Sequence, residues 1–488
     1  MIRGVIGFAV LALLAACAPV RPVSAPPDDL DAIEAALHRH IEVLASDEFG
    51  GRAPGTEGET QTLRYLAREW QAAGLDSGTN DPSNPWFAPV ELATSPPATG
   101  TVEFHRGERT VVLPREAVTV LSSETRDLVE RAPMLFLGSG AVLDPTAIAG
   151  HAPVLTLDDP GAFGRIEQLA AAGAAAVVVI AARADLAPIV AARNAGGYRL
   201  AGDERSLAPI VLVELEAAMA QPGVAALVTQ LRDADAAQGG TFSLPFSVSL
   251  DTRSRVSQVK THNLIARLPG RDPRAGAVLL LAHWDHFGTC GEEGDADRIC
   301  NGAVDNASGL AVLTELARLL AQGPQLDRDV YFLATTAEEW GLLGAYAFTR
   351  DPPLPLDTIV AAFNLDTSAL AARDAPVAIV GAGLGPLDGE VEAIIAAQGR
   401  RVGGRDLAPL YARRQDGWAL VQSDVPALMV SSSFADSTLL SEFERTRYHR
   451  ADDELEGIEL GGAAQDLLLH LALVRHFGSV ALHPGARE

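Results

Sequence analysis

The chain has 488 residues, 48% hydrophobic and 21% charged, with 38 Lys and Arg against 63 Asp and Glu and a net charge of -25. That length exceeds one small core and predicts two or three domains, and the near-average composition excludes bulk disorder. So acidic a surface repels phosphate backbones and excludes nucleic acid as a partner.

The first residues read as a targeting segment. Arg3 supplies a positive start, and Val5 to Ala16 is apolar apart from Gly7, too short to span a bilayer and suited to a signal peptide. Leu14-Ala15-Ala16-Cys17 resembles the lipobox of bacterial lipoproteins, in which the Cys is acylated and becomes the new N-terminus. Residues 1–17 are therefore expected to be a lipoprotein signal peptide, with lipid on Cys17. Ala18, in place of Asp, points to the outer membrane of a bacterial envelope, facing the periplasm. Residues 18–29 are Pro- and Ala-rich, a tether that leaves the lipid as the only membrane contact. With Cys17 so assigned, Cys290 and Cys300 remain. An even pair in an exported chain predicts a disulfide, with free thiols as the alternative; no C-x-x-C spacing supports zinc on them.

From Leu30 the pattern is helical, with Ile33, Leu37, Ile41 and Leu44 on one face. Gly50 to Gly55 breaks it, and Thr60 to Ala73 is a second helix stopped by Gly74. Composition shifts at 129, where residues 132–137, 154–157 and 175–180 read as buried strands, with a helix around 165–172. This Ala-rich block, 129–246, reads as an accessory domain inserted between 30–128 and 247–488, the two parts of a larger one; a single continuous sheet is the alternative. From Asn263 strands at 278–282, 330–335, 359–365, 377–380 and 427–431 alternate with helices at 308–321, 341–349 and 387–398, and 463–477 closes the chain. That alternation predicts an α/β fold with a mainly parallel, doubly covered sheet.

The polar residues of interest stand where those strands end. His283-Trp284-Asp285 follows the first, Glu338-Glu339 the second and Asp366 the third, while Asp305-Asn306 precedes a helix and Tyr448-His449 follows the last strand. Ligands of open α/β sheets bind beyond the carboxyl ends of the strands, so these groups aim at one crevice. So many acids in one place need cations. His with carboxylates and no thiolate suits zinc, and five candidates with one shared carboxylate make two three-ligand sets.

The order of these motifs resembles metallopeptidase family twenty-eight, secreted di-zinc aminopeptidases and their relatives, over nearly the whole mature chain. Residues 44–55 resemble the N-terminal helix and loop of members carrying a protease-associated domain, and 129–246 is similar to that inserted domain. Gly302 to Gly309, Glu338 to Gly344 and Asn364-Leu365-Asp366 follow in the family's order. The resemblance implies that His283 and Asp366 hold one Zn2+, Glu339 and His449 the other, and Asp305 bridges both. It makes Glu338 the general base on a water between the metals, Asp285 a residue orienting a ligand from behind, and Tyr448 a hydrogen-bond donor to the tetrahedral intermediate. The implied function is a di-zinc exopeptidase acting on peptides, an aminopeptidase first, with a zinc glutaminyl cyclase or a non-catalytic binding scaffold of the same fold as alternatives. One departure stands out: Arg414-Gln415-Asp416-Gly417 replaces the family's Arg-Ser-Asp-His, which bears on the substrate pocket but on none of the five ligands. Residues 431–447 read as a further loop at the pocket rim.

Overall fold

The computed structural model describes residues 29–484, except 139–143, 157–164, 167, 170–171, 187–188, 191–196, 203–207, 237–239 and 291–293. The lipobox with Cys17 and the tether to residue 28 lie outside the described residues, as does part of the helix expected at 165–172. Among the described residues no helix is long and apolar enough to cross a membrane.

Helix α1 (Leu30–Leu44) begins on Asp29, whose carboxylate accepts from the N–H groups of Asp31 and Ala32, and it buries Ile33, Leu37, Ile41 and Leu44. Helix α2 (Glu57–Ala73) stops at Gly74, where φ is 93°, a left-handed cap that a side chain would strain. The turn between them passes through Gly51 at φ 66°, where an added Cβ would meet Gly288 O at 2.5 Å and Cys300 O at 2.6 Å. Only glycine lets that turn lie against the short ribbon of Gly288–Thr289 and Ile299–Cys300, which the Cys290–Cys300 disulfide closes.

The first sheet is built from β1 (Phe87–Thr94), β2 (Tyr198–Leu200), β3 (Ser257–Leu268), β4 (Ala277–His283), β5 (Asp329–Thr335), β6 (Ile359–Asn364), β7 (Ala378–Val380) and β8 (Ala427–Ser431), with Asp76–Ser77 added beside β3. Its spatial order is β7-β8-β6-β4-β5-β3-β1-β2. The centre, β8-β6-β4-β5, is parallel, as the strand–helix alternation predicts. The flanking strands pair antiparallel, which needs no crossover helix and so leaves no alternating pattern to read. The longer helices that follow are α3 (Ser308–Gln322), α4 (Leu343–Arg350), α5 (Asp388–Ala397), α6 (Ser437–Thr446) and α7 (Gly461–Phe477). Val278, Leu280 and Ala282 of β4 join the core formed with α1, α2, α3 and α7, while Ala277, Leu279 and Leu281 pack on the other side with Phe348 of α4. Burial on both faces is why the central strands read as unbroken apolar runs.

A second sheet of eight strands occupies residues 99–253, in the order 109–112, 99–106, 241–253, 126–137, 152–156, 177–181, 210–214, 118–121. It starts well before residue 129, because the Ala-rich signature marks only its parallel half; the strands at 99–106, 109–112 and 118–121 carry mixed polar patterns. The two sheets are separate, but β2 leaves the inserted segment to pair with β1 of the first sheet.

Candidate metal centre

β4, β5 and β6 lie side by side and end at one crevice. β4 closes on His283 and runs on to Asp285 and His286; β5 turns at Ala337, φ 51°, into Glu338 and Glu339. Asp366 follows β6, Asp305 stands just ahead of α3, and His449, at φ 58°, lies between α6 and α7.

The five expected ligands converge. His283 Nε2 lies 3.2 Å from Asp305 Oδ1 and 3.7 Å from Asp366 Oδ1. His449 Nε2 lies 3.0 Å from Glu339 Oε2 and 3.4 Å from Asp305 Oδ2. Asp305 thus turns one oxygen to each group, as a bridging carboxylate must. The His449 Nε2 atom is buried and makes no hydrogen bond despite those two nearby oxygens. His283 Nδ1 meets the Asp285 carbonyl at 3.1 Å, so a proton there frees Nε2 to ligate. Imidazoles and carboxylates without thiolates fit a pair of zinc-type divalent ions.

Charge explains the protonation pattern. Burial pushes Glu338 well above the ordinary carboxylate range. For His449, burial opposes protonation, but Glu339 and Asp305 outweigh it and raise its pKa to about 10. Burial would also raise Glu339, as would Asp305, yet His449 and His286 bring it down to about 2. Protons on these groups offset the crowding of acids, a role that bound cations take over.

Several side chains hold the ligands in place. Asp285, fully buried, accepts from the Glu338 N–H at 3.1 Å and the Glu339 N–H at 3.5 Å, and burial raises it to about 8. Three others stand outside the residues expected from the sequence. Asp453 accepts from the N–H groups of Val304 and Asp305, at 3.1 and 3.0 Å, and so fixes the backbone at Asp305. Arg52, fully buried, donates to the carbonyls of Leu44, Trp284, Asn301 and Gly302, tying β4's end to the loop before Asp305. His286 turns Nδ1 onto Glu339 Oε1, and its Nε2 is buried without a partner. Of these, only His286 left a trace in the sequence, by standing next to Asp285.

Beside the cluster, a pocket is lined by Glu338, Arg414, Gln415, Leu440, Phe443 and Tyr448, among others. Tyr448 stacks on His449 with ring centroids 3.6 Å apart. The altered Arg414-Gln415-Asp416-Gly417 segment brings Arg414 and Gln415 to this pocket. Asp416 is buried behind them, accepting from Thr335 Oγ1 and raised to about 6 by burial. Residues 431–447, expected as a loop, contain α6, capped by Asp436. It forms because Leu440 and Phe443 give it an apolar face for the pocket.

The family model "Peptidase family M28" matches residues 263–473. A "Vacuolar membrane protease" of Candida dubliniensis is 35% identical over 100 residues, 20% of this chain and 10% of that protein. "Aminopeptidase YwaD" of Bacillus subtilis is 26% identical over 225 residues, 46% of this chain and 41% of that protein. The chain thus spans about a tenth of the length of the vacuolar proteases it matches. Among solved structures, an aminopeptidase from Aneurinibacillus sp. strain AM-1 superposes with a TM-score of 0.53 at 17% identity, over 91% of this chain and 93% of that one. The zinc aminopeptidase BSAP of Bacillus subtilis gives 0.52 at 16%, over 93% and 97%. The shared fold extends over both sheets.

Proposed function

We propose that the segment of peptidase family M28 at residues 263–473 makes this chain a di-zinc exopeptidase, an aminopeptidase that removes residues from peptide N-termini. One observation carries the reading: Asp305 offers an oxygen at 3.2 Å to His283 and the other at 3.4 Å to His449, linking two His–carboxylate sets. His283 and Asp366 would hold one zinc, Glu339 and His449 the other, with Asp305 shared. Bound there, the ions supply Lewis acidity and bring a water's pKa towards neutrality. The remaining steps fall to the chain's own groups. Glu338 lines the pocket beside the ligands and, once cations replace the protons of the cluster, accepts the proton of the attacking water and returns it to the leaving amine. Tyr448, on the pocket wall, donates a hydrogen bond to the developing oxyanion. The names of the Aneurinibacillus and Bacillus relatives favour the aminopeptidase.

The inserted sheet is assigned as a protease-associated domain. On the likeness of Leu14-Ala15-Ala16-Cys17 to a lipobox, the protein is assigned to the bacterial envelope through lipid on Cys17. Metal analysis together with product analysis on Leu-initiated, Gln-initiated and N-blocked peptides tests the function. Bound zinc and free Leu released only from the free-amine peptide are expected. Pyroglutamate as the sole product would make the protein a cyclase, and absence of metal would leave a binding scaffold.

A further inference from the structure

Outside the cleft, three side chains of ligand type meet at the C-terminal end of α7. His476 belongs to the last turn of α7, Glu390 to the first turn of α5, and His483 to the segment beyond α7. His476 Nε2 lies 2.5 Å from Glu390 Oε2, and His483 Nδ1 lies 3.1 and 3.2 Å from the two Glu390 oxygens. One ligand atom from each lies within 4.8 Å of the others. We propose that Glu390, His476 and His483 form a separate divalent-metal site, of zinc type, that clamps the C-terminal segment onto α5 and α7.

The chemistry supports a metal. Two imidazoles and one carboxylate make a three-ligand zinc set with the fourth position left to water. Bond lengths of about 2.0–2.1 Å put neighbouring ligands of a tetrahedral zinc about 3.3 Å apart. His483 already stands at that spacing from Glu390, and His476 needs only a small withdrawal. In a neutral imidazole the nitrogen facing Glu390 is free to carry the lone pair that a metal requires. All three residues are half-buried.

The third ligand is also held in advance. The His483 carbonyl accepts from Arg328 Nη1 at 2.8 Å, and the same nitrogen donates to the Phe477 carbonyl at 2.8 Å. The His483 ring packs edge-on against Phe477, with centroids 4.9 Å apart. These contacts bend the segment so that little ordering remains when an ion binds. The competing arrangement is two plain histidine–carboxylate hydrogen bonds, which need no metal.

The site stands apart from the reading of the cleft. Full-length protein, incubated with zinc and desalted, would be titrated with further Zn2+ by calorimetry, with metal analysis after each step. The parent is expected to take up one more ion per chain than Glu390→Gln, His476→Ala or His483→Ala, with peptide hydrolysis the same in all four. Its thermal midpoint should rise with added zinc, and that of His483→Ala should not. His483→Ala removes a ligand beyond the last helix, so a readable variant survives even if His476→Ala misfolds. Equal zinc uptake and equal thermal response in parent and His483→Ala would overturn the proposal, whatever the cleft does.

Discussion

Among the described residues nine strands build the first sheet and eight the second, and each has a parallel centre buried by apolar side chains. Their buried histidines separate them. In the second sheet His105 is satisfied on both nitrogens, by Thr110 Oγ1 at 3.0 Å and Ser249 Oγ at 2.9 Å. In the first, His286 and His449 each keep a buried Nε2 without a hydrogen bond. The same contrast holds where strands end. Those of the first sheet deliver His283, Glu338, Glu339 and Asp366 into a crevice; that at 210–214 ends on Glu214, paired with Arg183 at 2.8 Å on the surface. A fold of this type becomes a site only where its polar groups are brought together and left incomplete.

The sharpest test compares two strand-end acids. Glu338→Gln should lower kcat by about 10²–10⁴-fold, the range for loss of a general base, while metal content stays that of the parent. Glu214→Gln should leave kcat unchanged. Steady-state kinetics with metal analysis decides, and normal turnover in Glu338→Gln would remove that residue from the mechanism. Next in size is a core substitution behind the second sheet, on the helix Pro222–Ala236 that packs against it. Leu227 is fully buried in its apolar cluster, so Leu227→Ala should cost about 2–5 kcal/mol of that sheet's stability. Below the melting transition kcat/KM should match the parent; a parallel loss of activity would mean that the two sheets are energetically one.

Much of this was legible in the sequence. The central strands β4, β5 and β6 were readable because double burial leaves unbroken apolar runs, and the convergence of His283, Asp305, Glu339, Asp366 and His449 because each stands near the end of a strand or helix. Asp453 and Arg52 were not. Asp453 acts through backbone N–H groups of Val304 and Asp305, and Arg52 through four carbonyls. A side chain whose partners are main-chain atoms of a distant segment leaves no residue-type pattern to find. The true start of the second sheet was hidden for a related reason, since its antiparallel strands carry no Ala-rich signature.

Asp285 is the supporting residue whose loss reads most directly. Asp285→Asn keeps the shape but replaces one of the two carboxyl oxygens that accept from the Glu338 and Glu339 N–H groups with an amide that cannot accept. Metal affinity should fall about 10–100-fold, measured by chelator competition; unchanged affinity would reduce Asp285 to packing. The pH dependence of metal uptake has a fixed sign. Ligation needs neutral His449, whose pKa is raised to about 10. Binding near neutrality must therefore release protons, and affinity should climb with pH until about that value, by about tenfold per unit for each proton displaced. Calorimetry in buffers of different ionisation enthalpy counts those protons; zero release would contradict the charge pattern of the cluster.

The smallest effect lies at the seam between the two regions. Tyr198, on the β2 strand that the inserted segment sends to the first sheet, donates to the Pro54 carbonyl at 3.0 Å and packs edge-on against Trp340 at 4.8 Å. Trp340 follows Glu339 directly, so this contact is one route from the second region to the first. Tyr198→Phe deletes the hydroxyl and keeps the ring, which should cost about 0.5–1.5 kcal/mol of stability and leave kcat alone. Tyr198→Ala removes the ring contact as well, worth about 0.5–1.5 kcal/mol more, and should raise KM if the inserted segment shapes the rim of the pocket. Equal KM for parent, Phe and Ala variants would show that the seam is structural only, and that the two sheets share a chain without sharing a task.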